Sequence, residues 1–165
     1  MKPSVYRAGM NAQCLCAWLL LRPAKISTGQ FSIVSETTYF MILGIGIDLE
    51  ESARIGDSIE RFGPRFLNRV FTAGEIAFCE GKGNSIERFA ARFAAKEAAF
   101  KALQASWTTG MSWRDFEITV SPSGAPRMVL HGSAAQLANS RAVDSIHVSF
   151  SHTRTHVTAI VVLEG

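Results

Sequence analysis

Runs of alternating and continuous apolar residues predict five strands in the part of the chain that follows residue 41. The first run, ILGIGIDLE, predicts a buried strand. The second and third are separated by the turn sequence SPSGAP and should form a hairpin. The last is apolar on both faces and should lie at the centre of the sheet. The predicted strands are residues 42–50, 116–120, 127–131, 146–151 and 157–163.

Apolar residues spaced three and four apart predict the helices. The longest has the sequence FAARFAAKEAAFKAL, without glycine or proline, and its alanines form a narrow stripe that would allow close approach to a sheet. Thr72 and Glu75 have the spacing of a capping box, which predicts the start of a short helix. The predicted helices are residues 50–62, 64–70, 72–79, 89–103 and 133–140. This pattern predicts an α+β domain in which an antiparallel sheet of about five strands packs on the long helix.

Acidic side chains follow the first strand and lie on the long helix. Gly44 and Gly46 within a strand indicate close approach of another backbone or of a ligand. Asp48 near the strand end is either a cap for the next helix or a ligand. Glu97 and Lys101 share a helix face, either as an exposed ion pair or as part of a site. Together, Asp48 and Glu97 could supply two oxygen ligands to Mg²⁺, which usually completes its shell with water and phosphate.

Three segments resemble the bacterial holo-acyl-carrier-protein synthases, the small single-repeat class of 4'-phosphopantetheinyl transferases. They are GIGIDLEESARI, RFAAKEAAFKAL and IHVSFSHT, and the resemblance covers about residues 41–164. It implies a trimer with active sites between neighbouring subunits. It also implies Mg²⁺-dependent transfer of 4'-phosphopantetheine from coenzyme A to a serine of apo-acyl carrier protein, with release of 3',5'-ADP, in support of fatty acid biosynthesis.

The resemblance also assigns roles to individual residues. Asp48 and Glu97 would hold Mg²⁺, and Glu97 would take the serine proton. Lys101 and Arg92 would contact coenzyme A or the transferring phosphate. His147 matches a position near the coenzyme A site, although a lone histidine is commonly structural and has no zinc-like spacing to a cysteine. Lys82 lies in a loop where relatives carry a phosphate-contacting lysine, but a solvated lysine is the alternative.

Four arginines would form a basic stripe if residues 50–62 and 64–70 are nearly coaxial helices. Two acidic residues nearby could neutralise these arginines, so the stripe is either a solvent-exposed helix face or a docking surface for an acidic helix. The resemblance favours the dock, and Arg54 is the position that it identifies as contacting the carrier protein. The stripe consists of Arg54, Arg61, Arg65 and Arg69, and its acidic neighbours are Asp57 and Glu60.

The segment after the long helix departs from the family. Gln104, Ala105 and Ser106 stand where relatives have a Gly-Thr-Gly loop, so two glycines are lost where a phosphate would approach. This favours one alternative, a catalytically impaired relative that binds coenzyme A or the carrier protein. The other alternative is a different phosphate-handling enzyme, because GIGID is similar to the first strand of sugar kinases, although the chain is short for their two lobes.

The distribution of charge and the cysteine content limit the classes of binding partner and the cellular compartment that we expect for the protein. The net charge of +3 lies in residues 1–40, whereas residues 41–165 hold 13 basic and 13 acidic side chains, which argues against nucleic acid. The apolar run at residues 14–21 is too short to span a membrane. We expect residues 1–40 to be a disordered extension or a mis-assigned start, with a targeting segment as the alternative. Three cysteines in no framework predict a reducing cytoplasm.

Overall fold

The computed structural model describes residues 41–81, 83–106 and 110–165. The predictions for the extension at residues 1–40 and for Lys82 lie outside these residues and stay predictions. No helix in the described ranges has both the length and the apolar composition needed to cross a membrane.

Five strands are present, as predicted, and all of their pairings are antiparallel. They do not form one sheet. The first, fifth and fourth strands form a three-stranded sheet in the order β1-β5-β4, and the hairpin β2-β3 stands apart. The single-sheet prediction is wrong because β3 faces β4 across a cavity of about 490 Å³ instead of hydrogen-bonding to it. The strands are β1 (Ile42–Glu51), β2 (Phe116–Val120), β3 (Pro126–Leu130), β4 (Ser145–His152) and β5 (His156–Glu164). The central position predicted for the last strand is confirmed.

The helices follow the predicted order, with shifted ends. The first begins after Glu51, because β1 stays paired with β5 as far as Glu51 and His156. The predicted capping box is confirmed: Thr72 Oγ1 accepts a hydrogen bond from the Glu75 amide at 3.2 Å, and Glu75 Oε2 accepts one from the Thr72 amide at 2.9 Å. The helices are α1 (Ser52–Phe62), α2 (Pro64–Val70), α3 (Ala73–Glu80), α4 (Ser85–Ala102) and α5 (Gly132–Ser140).

The contact between α4 and β1 is made by backbone. A Cβ atom added at Gly46 would lie 1.9 Å from the carbonyl oxygen of Ala98, and one added at Gly44 would lie 2.3 Å from that of Ala102. No side chain fits at such distances, so glycine is required at both positions. The close approach predicted from the glycines and from the alanine stripe is confirmed in this one contact.

A buried ion pair ties α4 to α3 and to the hairpin. Lys96 Nζ lies 2.8 Å from Glu75 Oε2, and both side chains are fully buried. Lys96 also donates to the carbonyl oxygens of Trp113 and Phe116, while Glu75 Oε1 accepts from the Ile118 amide at 2.9 Å. Burial lowers the pKa of Lys96, and the neighbouring Glu75 carboxylate opposes that shift. The charged pair is therefore well supplied with hydrogen bonds, as a buried pair must be.

The face of the sheet that points away from α4 is apolar and open in the single chain. Ile45, Ile47 and Leu49 on β1 are 58%, 61% and 67% exposed, and Ile160, opposite Ile47 on β5, is also exposed. We call these four residues the outer sheet face. The prediction that the first strand is buried is therefore wrong for one of its two faces. Antiparallel sheets with one open face normally present polar residues there.

Candidate active site

Asp48 lies on the inner face of β1, beside α4. Its Oδ1 atom accepts a hydrogen bond from Lys101 Nζ at 2.7 Å, and the same ammonium donates to the Ile47 carbonyl at 3.1 Å. Thr158 Oγ1 on β5 donates to the Asp48 carbonyl at 2.9 Å. The helix-cap interpretation of Asp48 is wrong, because the N-cap residue of α1 is Glu51, which makes no side-chain capping bond.

Glu97 lies on α4, one turn before Lys101, and faces the same region. Burial raises the pKa of Glu97, and the Asp48 carboxylate raises it further, whereas Lys101 and Arg54 lower it. Four of the predicted site residues thus influence one another electrostatically. The interpretation of Glu97 and Lys101 as an ion pair is not supported, since the described contacts pair Lys101 with Asp48.

Glu50 is a third carboxylate in this region, and none of the sequence motifs identified it as a site residue. Its side chain is only 3% exposed, and its Oε1 atom lies 3.5 Å from Arg54 Nη1. Burial is the main cause of a raised pKa at Glu50, and the Asp48 and Glu97 charges add to it. The strand period of two was a usable signal, because it places Glu50 on the same face as Asp48.

The oxygen atoms at this site fit a hard divalent cation. Asp48 Oδ2 is buried and accepts no hydrogen bond from the described part of the chain, so a ligating oxygen is free. Within the described ranges, no group of three or more acidic, histidine or cysteine side chains is arranged to hold a metal ion. Two carboxylates, completed by water and substrate phosphate, are what Mg²⁺ needs, whereas transition metals prefer nitrogen or sulfur.

Arg92 lies nearer the start of α4, in the wall of a cavity of about 450 Å³. Its guanidinium stacks over the Phe78 ring at 4.3 Å and donates to the Arg88 carbonyl at 3.3 Å. Its Nε atom is buried and has no hydrogen-bond partner among the described residues. Burial also raises the pKa of the neighbouring Cys79 thiol to about 11. This cavity combines cations with aromatic walls, which suits an anionic ligand that has a ring.

His147 lies elsewhere, on the face of β4 that points away from α4. Its Nε2 atom is 2.8 Å from Glu164 Oε2. It lines the cavity between β3 and β4 together with Arg127 and Asp144. A single chain therefore brings Asp48, Glu97 and Lys101 together but leaves Arg92 and His147 in two separate cavities.

The basic stripe is exposed along its length. Arg54, the residue assigned to carrier binding, has a side chain that is 72% exposed, and Arg61 stacks over the Phe62 ring at 5.0 Å. Arg65 and Arg69 on α2 are exposed as well. All four arginine side chains are therefore open to solvent.

Gln104 keeps the backbone geometry expected of the missing glycine. Its φ is +44°, in the left-handed region. Its amide donates to the Lys101 carbonyl at 2.9 Å, and the Ala105 amide donates to the Phe100 carbonyl at 3.0 Å. These two bonds form a Schellman motif, in which glycine normally occupies the position of Gln104. Ser106 does not have positive φ, and Gly110 further on does, at +73°.

A family model and individual relatives assign the chain to the same family. The family model of the 4'-phosphopantetheinyl transferase superfamily matches residues 44–161. The holo-[acyl-carrier-protein] synthase of Koribacter versatilis is 52% identical over 124 residues, which cover 75% of this chain and 99% of that protein.

Solved structures agree with the sequence relatives. The synthase of Neisseria meningitidis superimposes with a TM-score of 0.70 at 30% identity, over 76% of this chain and 100% of that one. The Helicobacter pylori synthase in complex with coenzyme A gives a TM-score of 0.62 at 36% identity, over 72% and 98%. The α+β fold is therefore shared. The chain belongs to the 4'-phosphopantetheinyl transferase superfamily, in its holo-[acyl-carrier-protein] synthase family of enzymes.

Proposed function

We propose that this enzyme transfers 4'-phosphopantetheine from coenzyme A to a serine of apo-acyl carrier protein in a Mg²⁺-dependent reaction that releases 3',5'-ADP. The observation that carries the proposal is the cluster of Asp48, Glu97 and Lys101, with an unpartnered buried oxygen on Asp48. The relatives that the chain matches over nearly their whole length carry the synthase name. Service to fatty acid biosynthesis and a cytoplasmic location are further parts of the proposal.

Each side chain at the cluster has a distinct task. Asp48 and Glu97 hold the cation, which when bound neutralises charge on the pyrophosphate. Lys101, which is half exposed, orients Asp48 and offers its one remaining N–H donor to a phosphate oxygen. Glu97 accepts the proton of the carrier serine, and a pKa raised by burial makes a carboxylate a stronger base. The serine oxygen then forms a bond to phosphorus as the bond to 3',5'-ADP breaks.

Coenzyme A binding is proposed for Arg92, with Lys82 and His147 as further contacts. Arg92 supports this role by its place in the wall of a cavity lined with cations and aromatic rings. His147 lines a different cavity of the same chain. A subunit interface would bring such separated residues to one ligand.

Assembly as a homotrimer is also part of the proposal, and an exposed apolar face supports association of copies of the chain. The outer sheet face presents large apolar side chains that a single chain leaves in solvent. Apolar patches of this kind mark sites of protein association. The family resemblance extends the proposal to active sites that lie between neighbouring subunits.

Docking of the carrier protein is proposed on the basic stripe, with Arg54 as a principal contact. Acyl carrier protein is proposed as the partner because exposed guanidinium groups select carboxylates. Charge complementarity of this type mainly raises the association rate and fixes orientation. Raising the salt concentration should therefore weaken docking more than it weakens coenzyme A binding at the buried Arg92.

Mass spectrometry of apo-acyl carrier protein, incubated with the full chain, coenzyme A and Mg²⁺, tests the proposal. We expect a gain of about 340 Da, the mass of one phosphopantetheine arm, which disappears when the metal is chelated. Glu97→Gln should lower the rate at least about 100-fold. Glu80→Gln, at an exposed glutamate that ends α3, is the matched control and should be active. Full activity of Glu97→Gln would remove Glu97 from its proposed role.

The catalytically impaired relative is the second candidate, and the replacement of two glycines by Gln104 and Ser106 favours it. It predicts that coenzyme A binds without any gain of mass on the carrier. In that case, restoring glycine at both positions should restore transfer. Against it, Gln104 already adopts the left-handed conformation that the glycine would supply.

A further inference from the structure

Glu50 is a buried carboxylate to which the proposed reaction assigns no task. It follows Asp48 by two residues on the same face of β1, so the two side chains point toward α4 from adjacent positions. Its Oε1 atom is buried and accepts no hydrogen bond within the described residues. A buried carboxylate oxygen without a hydrogen bond is costly unless a cation compensates it.

Arg54 is the cation that compensates Glu50. The separation of 3.5 Å between Arg54 Nη1 and Glu50 Oε1 links the end of β1 to the first turn of α1. Because Arg54 is largely exposed, the same guanidinium that compensates Glu50 can reach a partner protein. Arg54 therefore connects the proposed docking surface to the carboxylates at the cation site.

The two ligands of the enzyme act on opposite charges of this pair, because the acidic carrier is attracted by Arg54 and the cation by Glu50. An acidic carrier protein that binds Arg54 draws the guanidinium away from Glu50, and the uncompensated negative charge of Glu50 then attracts the cation beside it. Conversely, a divalent cation at Asp48 and Glu97 compensates Glu50 and releases Arg54 for the carrier. Such coupling is reciprocal, because each ligand changes the affinity for the other by the same factor.

We propose that Glu50, through its ion pair with Arg54, couples binding of the divalent cation to docking of the acidic carrier protein, so that each tightens the other. This inference rests on the proposed function and adds a positioning residue to it. The coupling would favour a complex in which carrier and metal are present together. Glu50 itself contacts neither the transferred group nor the serine.

Calorimetric titration of the full chain with Mg²⁺, with and without apo-acyl carrier protein and in the absence of coenzyme A, tests the inference. We expect the carrier to tighten Mg²⁺ binding of the unsubstituted chain by about five-fold or more. Glu50→Gln should reduce this factor to about one. It should also bind the carrier more tightly than the unsubstituted chain does when no metal is present, because Arg54 is released. A merely structural role predicts weaker carrier binding instead.

Glu51→Gln is the matched control, since it removes one negative charge at the next position from an exposed side chain. It should keep the coupling. An equal coupling factor in Glu50→Gln and the unsubstituted chain would overturn the inference, and so would independent binding of the two ligands to the unsubstituted chain. In both cases transfer of the arm would persist, so the proposed function would stand. Complete lack of carrier binding would overturn both.

A second pair of variants applies if Glu50→Gln does not fold. Arg54→Gln and Arg61→Gln each remove one exposed guanidinium from α1, but only Arg54 is paired with Glu50. Arg54→Gln should bind Mg²⁺ about five-fold more tightly than Arg61→Gln in the absence of the carrier. Equal affinities would contradict the role of the ion pair.

Discussion

Replacement of Gln104 by glycine should stabilise the protein. Gln104 has φ of +44° at the end of α4, in a conformation that costs an L-residue about 1–2 kcal/mol. Its side chain is exposed, so little packing is lost on truncation. Removing this cost stabilises the folded state, but glycine also gives the unfolded chain more conformational freedom. That freedom offsets about 0.5–1 kcal/mol of the stabilisation.

The net expectation for Gln104→Gly is an increase of about 0.5–1 kcal/mol in the free energy of unfolding. For a domain of this size this corresponds to a rise in Tm of about 1–4 °C. Equilibrium unfolding in urea measures the free energy, provided that the slope against denaturant stays constant.

Ser106→Gly is the control for Gln104→Gly, because Ser106 is exposed and does not have positive φ. It should lower the free energy of unfolding, and the backbone-entropy part of that loss is about 0.5–1 kcal/mol. Equal effects of the two substitutions, or destabilisation by Gln104→Gly, would refute the argument that strain at one backbone position sets the difference.

Three further predictions concern other parts of the molecule. Lys96→Met should lower the free energy of unfolding in urea by about 3–5 kcal/mol, because it leaves Glu75 buried without its cation. Adding Glu75→Leu to this variant should recover part of the loss. A loss below about 1 kcal/mol for Lys96→Met would contradict the prediction. Hydrogen bonds from Thr72 and His131 lower the pKa of Glu117 from its ordinary 4.5, so its stabilising effect is complete above pH 4.5 and is lost as the pH falls through the folded value. Glu117→Gln should therefore flatten the acid side of the stability profile, and an unchanged slope would count against it. Ile47→Glu on the outer sheet face should disrupt the proposed assembly and so reduce the molecular mass measured by sedimentation. Val129→Glu, at an exposed position on β3, should leave that mass unchanged. An unchanged mass for both variants would argue against the proposed interface.

Local features of the sequence were enough to predict the elements and the main carboxylates. Thr72 and Glu75 interact within one helical turn, so their capping box could be recognised from spacing alone. Gly46 could be assigned to a close contact because few other roles explain glycine within a strand. Asp48 and Glu97 were paired by their chemistry, and the structure places both near Lys101.

Features that depend on distant contacts could not be predicted in the same way. Pairing of strands is decided by contacts between segments far apart in sequence, so five correct strands still gave the wrong number of sheets. Continuous apolar character in β1 predicted burial on both faces, although Ile45 and Ile47 have no cover within one chain. The ion pair of Glu50 with Arg54 joins a strand to a helix, so neither the strand period of two nor the helical period of 3.6 residues predicts it.

Gly46 of β1 packs directly against the Ala98 carbonyl of α4, and this contact between backbones sets the distance between β1, which carries Asp48, and α4, which carries Glu97. Neighbouring side chains cannot repack to correct an error in that separation, because no side chain lies in the gap. A methyl group at Gly46 would push the helix outward and widen the proposed cation site, although this residue carries no functional group. A scan of all substitutions should therefore find Gly46 as intolerant as the carboxylates themselves, so that the least replaceable positions of the site include one that performs no chemistry.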